Sequence, residues 1–198
     1  MNRRTLLLLG VALPAACGQG PGPRPAFKGI DITGAEYARG FELPDADGRM
    51  RTLADFKGQV VLVFFGFTHC PDVCPATMAE LADVKRQLGA AGDKLRGVFI
   101  TVDPERDTPA LLKAYVQAFD PSFVALRGNA EQTQAVAKTF KVYYKQNPGD
   151  TPGNYTVDHT AGSFIFDPQG RVRLFTRYGS GAEALLHDVK LLLQENAG

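Results

Sequence analysis

Cys70-Pro71-Asp72-Val73-Cys74-Pro75 sets two thiols four positions apart, and that spacing narrows the chemistry at once. If a helix begins near Pro71, the two side chains share one face about one turn apart. Their sulfurs would then pair with each other or point together at one soft ion. A helix start supplies orphan N–H groups and the positive end of a dipole, and both favour thiolate over thiol. Disulfide exchange and metal ligation each need that thiolate. A pair of inert structural cysteines fits this setting poorly, because a strand-to-helix junction is exposed and here carries two prolines and an aspartate. Asp72, between the thiols, is expected beside the site without being a ligand.

The elements that must position these residues follow from periodicity. Gly40 to Leu53 reads as a small hairpin turning at Asp47-Gly48. Gln59 to Phe67 is a near-continuous apolar run rich in β-branched and aromatic residues, the pattern of a strand buried on both faces. The cysteines stand at its end. A helix is expected over Ala76–Leu88, with Met78, Leu81, Val84 and Leu88 on one face. Leu95–Val102 is the next strand, and Thr108-Pro109 caps and opens the following helix. Phe123–Leu126 is a short strand, Ala130–Phe140 a helix and Lys145–Asn154 a polar loop. Tyr155–Asp158 and Gly162–Phe166 read as strands, the second pairing with Arg171–Thr176 across the turn Asp167–Gly170. Ala182–Gln194 closes the chain as an amphipathic helix. Strand–helix units followed by a hairpin and a last helix give an α/β fold, a central mixed sheet with helices on both faces. A cysteine motif at the end of the first long strand makes that fold thioredoxin-like.

The chain has three histidines. His69 adjoins Cys70 and should turn away from the sulfur-facing side. His187 belongs to the last helix, on its surface or rim. His159 follows Val157-Asp158 at a strand end, where a thioredoxin-like sheet brings a loop beside the cysteine helix, so it is the candidate third ligand. Asp158 is expected to orient its ring. Two thiolates and an imidazole satisfy Cu(I) or zinc, and admit Cu(II) with water in a further position. Structural zinc normally takes four protein ligands, and only three are offered, so an open site suits delivery better than scaffolding. The residues themselves leave copper and zinc both open.

Lys+Arg 22 against Asp+Glu 21 gives a net charge of +1, which leaves no basic field for nucleic acid. Three cysteines in 198 residues are too few for a disulfide scaffold, so packing must hold the fold. The N-terminus reads as an address. Asn2-Arg3-Arg4, an apolar stretch Leu6–Leu13 and Pro14-Ala15-Ala16-Cys17 carry the marks of an export signal. The apolar stretch is roughly half of the ~20 residues a membrane-spanning helix needs. Ala15-Ala16 before Cys17 is similar to a bacterial lipobox, whose cysteine is lipidated, although Pro14 stands where leucine is usual. Gly18–Pro25 alternates Gly and Pro as a partly stiff tether. The expected organisation is a signal over 1–16, a tether anchored at Cys17 over 17–40, and a domain over 41–198. That order places the domain on the periplasmic side of the cytoplasmic membrane.

Three blocks together carry a family resemblance: Phe65-Gly-Phe-Thr-His-Cys-Pro-Asp-Val-Cys-Pro75, Val102-Asp-Pro-Glu-Arg-Asp-Thr-Pro109, and Tyr155-Thr-Val-Asp-His-Thr160 with Asp167-Pro-Gln-Gly170. Over Phe41–Leu193 the chain closely resembles the Sco/SenC family of copper chaperones. The resemblance implies copper bound by Cys70, Cys74 and His159, with Asp158 beside the ligand histidine. It further implies a role in assembling the binuclear copper centre, CuA, in subunit II of cytochrome c oxidase. Further partners in that setting are other envelope copper chaperones and thiol reductants.

Two functions from different classes follow. One is an assembly factor that holds Cu(I) or Cu(II) and passes it on by ligand exchange, with nothing turned over. The other is a thiol–disulfide oxidoreductase, in which Cys70 attacks a partner disulfide and Cys74 resolves the mixed species. The need for His159 separates them, since disulfide exchange requires no third soft ligand. A peroxidase would want a polarising threonine, and Thr68 lies too close in sequence to Cys70 for the usual arrangement. The segment Lys145–Asn154, with Tyr143 and Tyr144 before it, is a candidate docking loop.

Overall fold

Ile30–Asp31 is the first strand (β1), followed by a hairpin of Glu42–Pro44 (β2) and Met50–Thr52 (β3). Val60–Gly66 (β4) is the axis of the molecule, and all seven of its residues are buried. The computed structural model describes residues 26–151 and 154–195. After β4 come helix Val73–Gln87 (α1), strand Leu95–Thr101 (β5), helix Pro109–Gln117 (α2), strand Val124–Leu126 (β6) and helix Ala130–Phe140 (α3). Strands Tyr144–Pro148 (β7), Tyr155–His159 (β8), Gly162–Phe166 (β9) and Val172–Arg177 (β10) lead to helix Ala182–Gln194 (α4).

The central sheet has the order β1-β10-β9-β4-β5-β6. β4, β5 and β6 run parallel, and β9, β10 and β1 add antiparallel neighbours. Side chains alternate across β4, so Phe64 and Phe65 face opposite layers. On one side Phe64 meets Phe99, whose ring lies 5.4 Å from Tyr115 of α2. α1 and α4 pack together on that side, and a Cβ at Gly97 of β5 would come 2.8 Å from Leu81 of α1. On the other side Phe140 of α3 stacks edgewise on Phe65, Phe164 and Phe166. The expected mixed sheet with helices on both faces is the observed one, and its order of units is thioredoxin-like.

Three expectations need correction. The body begins well before residue 41. β1 pairs with β10, and the Lys28 and Gly29 amides donate to the buried Asp188 carboxylate at 2.8 and 2.7 Å. A two-residue edge strand carries no alternation that a sequence pattern can register. Lys145–Asn154 is not simply a loop, because β7 pairs with β8 in a separate two-stranded sheet, with Tyr144 opposite His159. Helix α1 starts at Val73 rather than Ala76. Pro75 therefore sits inside the first turn, where its missing N–H would have had no helical acceptor. Thr108 caps α2 as expected, its hydroxyl accepting from the Leu111 amide at 3.3 Å with Pro109 in the first turn. Cys17 and the signal and tether over 1–25 lie outside the described residues. Among the described residues no helix is long and apolar enough to cross a membrane.

Candidate metal centre

β4 runs straight toward α1, and the turn between them carries Cys70. The Cys70 amide donates to the Phe67 carbonyl at 3.2 Å, closing that turn. With α1 starting at Val73, the thiols do not share a helical face. Cys70 precedes the helix and Cys74 lies in its first turn. Cys74 is fully buried and Cys70 is 9% exposed, so Cys70 is the more accessible of the two thiols. Both are free thiols.

β8 brings the third group. The ligand-capable atoms of Cys70, Cys74 and His159 all lie within 4.8 Å of one another. His159 Nε2 is 3.4 Å from Cys74 Sγ, and Nδ1 is 3.1 Å from the Thr160 carbonyl oxygen. A carbonyl only accepts, so Nδ1 carries the proton and Nε2 presents its lone pair to the thiol. Phe64 and Phe67 meet the imidazole edge-on, with centroids 5.8 and 5.9 Å away. Burial lowers the His159 pKa below its ordinary value, against the opposing pull of the Thr160 carbonyl and the Asp158 charge. Burial, reinforced by the Cys70 side chain, pushes the Cys74 thiol far above its ordinary 9.0. In neutral solution the apo site is thus a neutral imidazole accepting from a buried S–H. Metal uptake by the thiolates must displace that proton, so binding releases protons to solvent and strengthens as pH rises.

Gly66 makes the close packing possible, since a Cβ there would meet Cys74 Sγ at 2.7 Å and Phe64 at 2.9 Å. Asp107, wholly buried, bolts the cysteine turn to the end of β5. It accepts from the Thr68 and Thr101 hydroxyls at 2.5 Å each and from the Thr68 amide at 3.2 Å. The Thr68 hydroxyl is therefore committed to Asp107 rather than to the cysteines.

Other expected residues are placed differently. Asp158 does not orient the ring. The alternation of β8 exposes it opposite Lys145 while His159 turns inward, and the Thr160 carbonyl takes the orienting role. Asp72 is exposed at the start of α1, where its side chain makes no cap and lies 3.4 Å from the Tyr178 hydroxyl. His69 is exposed, with Nδ1 3.2 Å from the Thr68 hydroxyl, and His187 rests 3.0 Å from Asp188. Neither joins the cluster.

A partly buried polar network, built around the buried Asp103, stands at the far end of β8 and joins residues that no spacing in the chain brings together. Asp103 accepts from Arg106 Nε at 2.5 Å and from the Tyr155 hydroxyl at 2.6 Å. Burial together with that carboxylate raises the Tyr155 phenol to about 12, so it remains a donor. Arg106 also donates to the Tyr155 carbonyl at 2.8 Å and lies 3.6 Å over the Tyr155 ring. Asp103 and Arg106 stand in the second of the three sequence blocks and Tyr155 opens the third. Their separation in the chain hid their contact.

The fold and the site together define a thioredoxin-like domain with an open two-thiol, one-imidazole centre where its first long strand meets its helix. The profile of the SCO1/SenC family matches residues 31–194, and the chain belongs to that family. It is 47% identical over 146 residues to the mitochondrial SCO2 homolog of Bos taurus, covering 73% of this chain and 54% of that one. It thus spans about half the length of that curated relative. The structure of Bradyrhizobium japonicum ScoI with copper bound is 40% identical with a TM-score of 0.70, over 77% of this chain and 97% of that chain. BsSco, described through a disulfide switch and as a member of the Sco family of cytochrome c oxidase assembly proteins, is 25% identical. Its TM-score is 0.63 over 84% of this chain and 97% of its own.

Proposed function

We propose that this chain is a copper metallochaperone that holds one copper ion between Cys70, Cys74 and His159 and passes it to the CuA site of cytochrome c oxidase subunit II. The observation that carries the reading is the convergence of three soft or borderline donors within 4.8 Å, with the lone pair of His159 Nε2 aimed at the Cys74 sulfur. Two thiolates suit Cu(I), and the imidazole extends the site to Cu(II). Three protein ligands leave room for an incoming thiolate, so cargo can leave by exchanging one ligand at a time. Cys70, the more exposed thiol, is the first to be exchanged. The copper-bound relative and the oxidase-assembly role stated for BsSco support the cargo and its destination.

The address read at residues 1–17 fits such a role. A lipid at Cys17 and the following tether would hold the domain at the periplasmic face of the cytoplasmic membrane, where envelope copper chaperones and thiol reductants can reach it. Titration of the reduced full chain with Cu(II), the state that needs the imidazole, beside His159→Ala tests the central claim. One tightly held copper per chain, sharply weakened in the variant, supports it. Equal uptake by both proteins, or by neither, overturns it.

A second reading rests on the free thiols themselves. Cys70 and Cys74 lie close enough for mutual reaction, and the disulfide switch described for BsSco points the same way. In this reading Cys70 attacks the oxidised cysteine pair of the receiving protein and Cys74 displaces the product. The two receiver thiols leave reduced and Cys70–Cys74 leaves as the disulfide. Reduction of a receiver disulfide by His159→Ala at the wild-type rate is its expected mark. Failure of the reduced wild type to act on that disulfide removes it.

A further inference from the structure

The strand that carries His159 is not part of the central sheet. β7 and β8 form their own two-stranded sheet, so the imidazole rides on an arm that must be fixed to the body at both ends. The near end runs almost directly into β9, and the Tyr178 amide, just after β10, donates to the Ala161 carbonyl at 3.1 Å. The Thr160 amide donates to the Tyr143 carbonyl at 2.9 Å and closes the base of the arm itself. The far end is held by Tyr155.

We propose that Asp103, Arg106 and Tyr155 act as a clamp that fixes this arm, and that it thereby positions His159 and sets how well the site retains Cu(II). The inference rests on the copper-binding reading above and assigns three residues that do not touch the metal. The fixed jaw is the loop after β5. The Asp103 amide donates to the Thr101 hydroxyl at 3.0 Å, the Asp107 amide to the Asp103 carbonyl at 3.0 Å, and Arg127 donates through Nε and Nη2 to the Pro104 carbonyl at 3.2 and 2.8 Å. The moving jaw is Tyr155, gripped by ring, hydroxyl and carbonyl together. Arg106 stacks on the ring and donates to the carbonyl, while Asp103 accepts from the hydroxyl and from Arg106.

The clamp also reaches the imidazole through packing. The Arg106 guanidinium lies 5.8 Å from the Phe67 ring centroid, and Phe67 meets the His159 ring edge-on at 5.9 Å. Arg106 Nη2 is buried without a hydrogen-bond partner, so the stack and the other nitrogens fix the side chain. A lysine cannot copy this arrangement, because it lacks the planar fork and stacks poorly.

The chemistry separates the two copper states. Cu(I) is satisfied by the two thiolates, which reside on the turn before α1 and in its first turn. Cu(II) depends on the imidazole as well. Loosening the arm therefore weakens Cu(II) while sparing Cu(I), which a general loss of fold would not do.

The test uses the full chain carrying Tyr155→Phe, Arg106→Lys or His159→Ala. Groups that orient metal ligands typically change affinity by about 10–100-fold, and the first two variants are expected to lose Cu(II) affinity in that range. Their Cu(I) affinity should stay near wild type, and their Cu(II) electron-spin and thiolate charge-transfer spectra should shift toward those of His159→Ala. In the apo proteins, amide hydrogen exchange over 155–159 should quicken without loss of overall helix content. Wild-type Cu(II) affinity, spectra and exchange in both clamp variants would overturn the proposal. If the wild-type chain takes up no copper, the function proposed above falls, and apo exchange decides the clamp alone. Faster exchange then supports it, and unchanged exchange removes it.

Discussion

His159 Nε2 stands 3.4 Å from Cys74 Sγ, while Nδ1 of the same ring is tied to the Thr160 carbonyl at 3.1 Å. One nitrogen is occupied by the backbone so that the other is free for the sulfur or for whatever replaces its proton. Nitrogen NMR of the apo protein near pH 7 should show a neutral ring protonated at Nδ1. Its titration should fall below the ordinary 6.5, because burial disfavours the imidazolium. A ring protonated at Nε2, or one titrating above 6.5, would break this account of the site.

Gly66 sits at the end of β4 under the Cys74 sulfur. Its substitution by alanine places a methyl group 2.7 Å from Sγ, 2.9 Å from Phe64 and 3.0 Å from Phe99. None of the three has space to retreat, since all are buried. Overpacking of this kind costs about 1–3 kcal/mol. Gly66→Ala should therefore lower the unfolding free energy by that amount and weaken copper binding beyond what the stability loss explains. Equal copper affinity at reduced stability would confine the role of Gly66 to packing.

Burial raises the pKa of Cys74 in the fold, and this makes a signed prediction. The folded state holds the thiol proton above pH 9.0, whereas the unfolded chain releases it there. The unfolded state then binds fewer protons, so stability falls as pH rises past about 9. Thermal melts of the apo protein should decline more steeply above that pH than melts of Cys74→Ala. Alkylation at pH 8 should also label Cys70 before Cys74, because Cys74 is both buried and protonated. Equal labelling rates would contradict the burial drawn here.

The sequence carried the site's ligands more readily than their support. Cys70 and Cys74 announce themselves by spacing, and His159 by its place at a strand end beside the cysteine turn. What a single chain cannot express is contact between distant segments. Asp107 and Thr68 meet 39 positions apart, and Asp103 and Tyr155 meet 52 apart. Asp158 was a natural candidate to orient the ring because it is adjacent in sequence, yet a strand turns adjacent side chains to opposite faces. The long runs of β4 and β5 were legible because burial on both faces leaves an unbroken apolar pattern. β7 was not, since Tyr-Lys-Gln-Asn-Pro has the composition of a loop and takes its extended form by pairing with β8.

The start of the folded body gives the last test. Both oxygens of the Asp188 carboxylate are used, one on the Lys28 amide at 2.8 Å and one on the Gly29 amide at 2.7 Å. This holds the segment leading into β1 against α4, so the edge strand is added by a side chain before its own ladder begins. Removing the carboxylate leaves two main-chain donors without their acceptor, at a cost of about 1–3 kcal/mol. Asp188→Ala should lose stability in that range and expose residues 27–31 to limited proteolysis. Its copper affinity should match wild type, because β1 lies three strands from β4, beyond β10 and β9 in the sheet. Protection of that segment at wild-type levels would mean that the pairing of Ile30 and Asp31 with β10 suffices without Asp188.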